Sequence, residues 1–116
     1  MQKILKLFEK SPIIHTYTIL DYKSSSDSEY LKAKLKLKNG DLLFFKEYTS
    51  ANEHIYSYHW QKPEGSLMVR WDNSPHHKEL KTFPHHKHCP DLKASYETTF
   101  GDVLKEIENI LESEKL

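Results

Sequence analysis

The sequence predicts a single α+β domain over residues 1–116: an antiparallel β-meander of about five strands, a C-terminal amphipathic helix and a short N-terminal helix. Three observations carry this. Within residues 30–38, apolar and lysine side chains alternate strictly from Leu31 onward, Asn39-Gly40 then separates this run from a second apolar-rich one, and Phe100, Val103, Leu104, Ile107, Ile110 and Leu111 recur at helical spacing.

Taken in order, residues 2–10 place Ile4, Leu5, Leu7 and Phe8 in a short helix that stops before Ser11-Pro12, because the residue ahead of a proline avoids the α region. Residues 13–21 are rich in β-branched and aromatic side chains and read as a strand. A serine-rich connection leads into residues 30–38, where Leu31, Ala33, Leu35 and Leu37 define one face and Lys32, Lys34, Lys36 and Lys38 the other. Asn39-Gly40 suggests a type I′ turn, which pairs Leu37 with Leu42, Leu35 with Phe44 and Leu31 with Tyr48 on the apolar side. Residues 53–61 and 67–72 supply two further strands around a four-residue loop, Lys62 to Gly65. Thr99, with Asp102 three residues later, reads as the N-cap of the last helix. Residues 73–97 hold three prolines and five histidines, lack periodicity and read as an irregular loop.

Composition narrows the functional classes. Seventeen basic residues balance seventeen acidic ones, so bulk electrostatic coating of nucleic acid is excluded and any such binding must be local. The charge is segregated, with five lysines against two acids over residues 31–48 and five acids against two lysines over residues 102–116. The lysine face should be solvent-exposed, and the acidic last helix suits the docking of a basic partner segment. The mean hydropathy of −0.75 and the absence of a long apolar run predict no membrane span. Residues 1–9 do not read as a signal peptide. The single Cys89 fits a reducing cytoplasm and forms no internal disulfide.

The chemistry-bearing residues lie between 59 and 88. With the four-residue loop, Tyr56, Tyr58, Trp60, Val69 and Trp71 share the core face, while His59, Ser57, Arg70 and Asp72 share the other, His59 opposite Met68 and Arg70 opposite Ser57. Such a face holds either an ordinary solvated ion pair or a site in which an imidazole moves a proton, a guanidinium holds phosphate and a carboxylate orients the ring. His76, His77, His85, His86, His88 and Cys89 likewise read either as ligands for Zn²⁺ or as a metal-free phosphate-binding loop assisted by Lys87. No C-x-x-C pair or H-E-x-x-H helix accompanies them, which favours no cofactor.

Tyr58-His59-Trp60, Arg70-Trp71-Asp72-Asn73 with Pro75-His76-His77, and Phe83-Pro84-His85-His86-Lys87-His88 resemble the TumE-type toxins of prokaryotic toxin–antitoxin loci. The resemblance implies a cytoplasmic protein encoded beside a cognate antitoxin, and toxins of this size are often ribonucleases. It marks His59, Arg70, Asp72, Asn73, His76, His77, His85, His86 and His88. The chain departs from the family pattern at Lys78 to Thr82, which interrupts the histidine segment. The expectation is a metal-independent ribonuclease acting on RNA. His59 would be its general base, with Asp72 or a nearby backbone carbonyl orienting its ring, Arg70 the phosphate-stabilising cation and His86 the general acid. Lys87 would add attraction, and Asn73, His76, His77, His85 and His88 would bind substrate. A metal-dependent nuclease and a non-catalytic protein- or RNA-binding module are the alternatives.

Overall fold

A computed structural model describes residues 2–73, 86–88, 92–94 and 98–114. Helix α1 (Gln2–Lys10) leads into strands β1 (Ile14–Ser24), β2 (Ser28–Leu37), β3 (Leu42–Ser50), β4 (His54–Gln61) and β5 (Leu67–Asp72). Two three-residue strands, β6 (His86–His88) and β7 (Leu92–Ala94), precede α2 (Phe100–Glu114). All strands pair with their sequence neighbours, antiparallel, in the order β1 to β7. The five expected strands are present, and the meander continues through a segment whose three-residue strands are too short to show an alternating pattern.

Both helices cover one face of the sheet. Phe100 of α2 sits at the centre of this core, with its ring 4.9 Å from Phe45 and 5.4 Å from both Phe8 and Tyr58. Leu31, Ala33, Leu35, Leu37, Leu43, Tyr56, Tyr58, Trp60, Val69 and Trp71 complete it from the strands. The start of α2 is fixed by a reciprocal pair of bonds: the Asp102 amide donates to Thr99 Oγ1 at 3.2 Å, and the Thr99 amide donates to Asp102 Oδ2 at 3.1 Å. Both expected N-terminal residues therefore act.

Turn chemistry corrects the expected pairing of β2 with β3. Gly40 has φ of +95° while no residue other than glycine has positive φ among the described residues, which excludes the type I′ turn because it needs positive φ at Asn39 as well. Instead the Gly40 amide donates to the Leu37 carbonyl and the Leu37 amide to the Asp41 carbonyl, closing a three-residue loop with Gly40 as its left-handed member. Leu35 then faces Leu43, and Lys34 faces Phe44. The pairing moves by one residue, which exchanges the two faces of β3: Phe45 enters the core and Phe44 leaves it.

The second hairpin uses the same turn. Lys62 donates to the Ser66 carbonyl, Gly65 donates to the Lys62 carbonyl, and Gly65 has φ of +108°. The loop is three residues rather than four, and a bulge between the Trp60 and Gln61 pairs adds a second one-residue shift. Two shifts restore the original face, so Tyr58 and Trp60 stay in the core while His59 moves from Met68 to a position directly opposite Arg70.

A buried carboxylate ties the two hairpins together. Asp41, 2% exposed, accepts from Trp60 Nε1 at 2.9 Å and Asn39 Nδ2 at 3.1 Å, with Lys62 Nζ at 3.7 Å. Its place just after the first turn is what brings the indole, the turn amide and the second hairpin to one point.

Candidate active site

Among the described residues the face opposite the helices is open, and its residues follow from register. Cross-strand partners point the same way, so Lys34, Phe44, His59, Arg70 and the position of His88 form one row across β2 to β6, and Lys32, Lys46, Ser57, Asp72 and the position of His86 form the next. Lys32, Lys34, Lys36 and Lys46 are exposed, as the alternation predicts for β2.

Three of the expected residues meet here. Arg70 Nε donates to Asp72 Oδ2 at 3.0 Å, and Arg70 Nη1 lies 3.3 Å from His59 Nδ1. Asp72 is 4% exposed, whereas the Arg70 side chain retains 41% of its surface. A buried carboxylate thus anchors a guanidinium whose far edge reaches solvent. Because a guanidinium nitrogen only donates, His59 Nδ1 accepts, and the ring proton of the neutral form sits on Nε2 and is donated to Gln61 Oε1 at 3.0 Å.

This setting holds the His59 pKa below its usual 6.5, first because the ring is partly desolvated and second because it faces the Arg70 charge, with the Gln61 bond opposing both. The imidazole is neutral at pH 7 and has the protonation state of a general base. Ring orientation comes from Gln61 and Arg70, and Asp72 acts one step removed by holding Arg70. Gln61 was legible in principle, since residues two apart on a strand share a face.

The remaining expected residues divide. Asn73 is buried, its Oδ1 accepting from the Tyr56 amide at 2.9 Å and its Nδ2 donating to the His54 carbonyl at 2.6 Å. It ties the end of β5 to the β4 backbone. Lys87, in register with Trp71, lies on the helix-bearing side, where Nζ donates to Glu106 Oε1 at 2.5 Å and Trp71 Nε1 donates to Glu106 Oε2 at 3.0 Å. His86 and His88 are opposite Asp72 and Arg70 in the β5–β6 register. His76, His77, His85 and Cys89 lie outside the described residues.

An antiparallel sheet with both helices on one face and a basic second face centred on His59, Arg70 and Asp72 defines a small α+β protein with a cluster of polar, ionisable side chains built on strands. The model of one family, Toxin TumE, matches residues 4–111, and the chain belongs to that toxin family. No curated protein and no solved structure shows a significant match. Among the described residues no helix is long and apolar enough to cross a membrane.

Proposed function

We propose that the chain acts as the toxin of a toxin–antitoxin pair by cleaving RNA without a metal ion, in the cytoplasm, and that a cognate antitoxin binds it. The observation that carries this reading is the His59–Arg70–Asp72 arrangement: a neutral imidazole beside a guanidinium anchored by a buried carboxylate, on an exposed basic face.

On substrate binding, a phosphate oxygen takes the place of His59 at Arg70 Nη1, and His59 Nδ1 turns its freed lone pair to the ribose 2′-hydroxyl. His59 removes that proton as the 2′-oxygen attacks phosphorus. A histidine of β6, His86 or His88, donates a proton to the departing 5′-oxygen, leaving a 2′,3′-cyclic phosphate and a free 5′-hydroxyl. Arg70 stabilises the charge developing on the phosphate, a contribution of about 3–4 kcal/mol or roughly 10²- to 10³-fold in rate. Lys87 and Asn73 take no part.

The test is cleavage of total RNA by purified protein and by His59→Ala, Arg70→Ala, His86→Ala and His88→Ala, each checked for folding by circular dichroism. The reading expects cleavage in EDTA, cyclic phosphate ends and a bell-shaped pH–rate profile. His59→Ala should be inactive, and Arg70→Ala should be slower by roughly 10²- to 10³-fold. Loss of cleavage in EDTA, restored by Zn²⁺, would move the assignment to a metal-dependent nuclease using the histidine segment. Binding of RNA or a protein target without cleavage would identify a non-catalytic module.

A further inference from the structure

We propose that the open face of β2–β5 is a binding surface for single-stranded RNA, with two nucleobase subsites on either side of a phosphate held by Arg70. The proposal rests on the ribonuclease reading for its choice of ligand and on separate observations for its surface.

The first observation is the residue row itself. Lys34 Nζ lies 6.0 Å from the Phe44 ring centre, and the Phe44 ring lies 6.1 Å from that of His59, which contacts Arg70. Cation, aromatic ring, imidazole and guanidinium therefore follow one another across four strands, over roughly 15 Å at the usual strand spacing. Beside them, the open-face positions of β2 and β3 carry Lys32, Lys36 and Lys46 and no acid. Of the carboxylates near this face among the described residues, Asp21 lies 3.8 Å from Lys23 Nζ and Asp72 holds Arg70.

The second observation is a pair of adjoining depressions. One, of about 300 Å³, is lined by Lys32, Phe44, His59 and Gln61, and the other, of about 160 Å³, by Tyr30, Tyr48, Ile55 and Asp72. Both reach Lys46, Ser57 and Arg70, so Arg70 stands on the ridge between them. Ile55 leaves 48% of its surface exposed, an apolar wall open to an incoming ring.

These features select the ligand. Lysines alone suit any polyanion, including an acidic protein segment, but flat aromatic surfaces interleaved with cations suit unpaired bases joined by phosphates. Paired bases present no free ring face, and the grooves of an RNA duplex do not admit such a platform. Polarity follows from the chemistry. The 2′-hydroxyl that His59 deprotonates belongs to the nucleotide 5′ of the cleaved bond, so that base occupies the Phe44–His59 depression and the next base occupies the Tyr30–Tyr48–Ile55 depression.

The test uses a fluorescein-labelled, fully 2′-O-methylated RNA decamer, which lacks the attacking hydroxyl and is bound but not cleaved, read by fluorescence anisotropy. Phe44→Ala and Tyr48→Ala should each weaken binding about 5- to 100-fold, the range for loss of one stacking ring. Lys34→Gln and Lys46→Gln should weaken it and reduce its salt dependence, whereas Lys6→Gln on α1 should leave it unchanged. Parental affinity in folded Phe44→Ala and Tyr48→Ala, equal affinity for the RNA duplex, or displacement of the decamer by a polyglutamate peptide at equal charge would overturn the proposal. Binding through Phe44 and Tyr48 by a protein that cleaves no RNA supports the surface and overturns the nuclease reading. Cleavage with binding indifferent to both rings does the reverse.

Discussion

The two hairpins of this sheet close with the same three-residue turn, yet they alter the expected structure in opposite ways. At Lys38–Gly40 a single one-residue shift exchanges the faces of β3, sending Phe45 into the core and Phe44 to the open face. At Pro63–Gly65 the shorter loop and the bulge add two shifts, so His59, Trp60, Val69, Arg70, Trp71 and Asp72 keep their faces while their partners change, and only between the two shifts does a residue turn over, Met68 packing against the core instead of facing His59. Because side chains alternate with a period of two, an odd shift changes what is buried and an even one changes only what meets what. The odd shift supplies the aromatic ring of the open face, and the even one brings His59 to Arg70.

The largest effect that sharpens this contrast is on stability. Phe45→Ala, at a fully buried ring in contact with Phe8, Tyr58 and Phe100, should cost about 3–5 kcal/mol in denaturant unfolding. Its neighbour Phe44→Ala should cost less than half of that. The type I′ register would reverse the order, so the pair of measurements decides between the two turns.

At the second hairpin, Arg70→Met removes a partner of the buried Asp72 carboxylate and should cost about 1–3 kcal/mol. Adding Asp72→Leu should recover most of that loss without restoring RNA cleavage, since the guanidinium is still missing. Recovery of cleavage in the double variant would remove Arg70 from the proposed chemistry.

The turns themselves should respond alike. Gly40→Ala and Gly65→Ala each place a side chain on a positive-φ backbone, with no atom closer than 4.0 Å at Gly40 and none within 4 Å at Gly65. The cost is conformational alone, about 1–2 kcal/mol at either position by thermal or denaturant unfolding. A much larger loss at only one of them would show that the two turns are not equivalent.

How much was legible follows the same logic. Alternation in residues 30–38 and the spacing of residues 100–111 identified β2, α2 and their buried faces, because burial on one side imposes its period on the sequence. Asn-Gly marked the turn but not its type, since the dipeptide serves both a type I′ turn and a type I turn with a following left-handed glycine. Asp41 has no sequence signature: a carboxylate after a turn looks solvated until Trp60 is seen donating to it. The His59, Arg70 and Asp72 cluster was legible because two errors cancelled in parity. The side on which Lys87 lies is not legible, because the three residues of β6 are too few to show the alternation that turns this residue toward Glu106. Asn73 looked like part of a polar motif, and only the β4 backbone explains it.

A smaller effect reads the His59 environment directly. Its pKa is lowered on folding, so below about 6.5 the unfolded chain binds a proton that the folded chain resists. The contribution is fully present above the unfolded value and is lost as pH falls through the folded one. Over that window the parent should lose stability more steeply than His59→Gln, measured by urea unfolding between pH 7.5 and 4.5. Parallel curves would mean that the ring titrates as it does in water.

The most direct measurement compares growth arrest on induction with urea unfolding of the same variant, His59→Asn. The substitution keeps a polar side chain at a half-buried open-face position and removes the imidazole. The prediction is stability within about 1 kcal/mol of the parent, as for a substitution outside the core, together with complete loss of growth arrest. A folded His59→Asn protein that arrests growth as the parent does would contradict the assignment of the active site to this face.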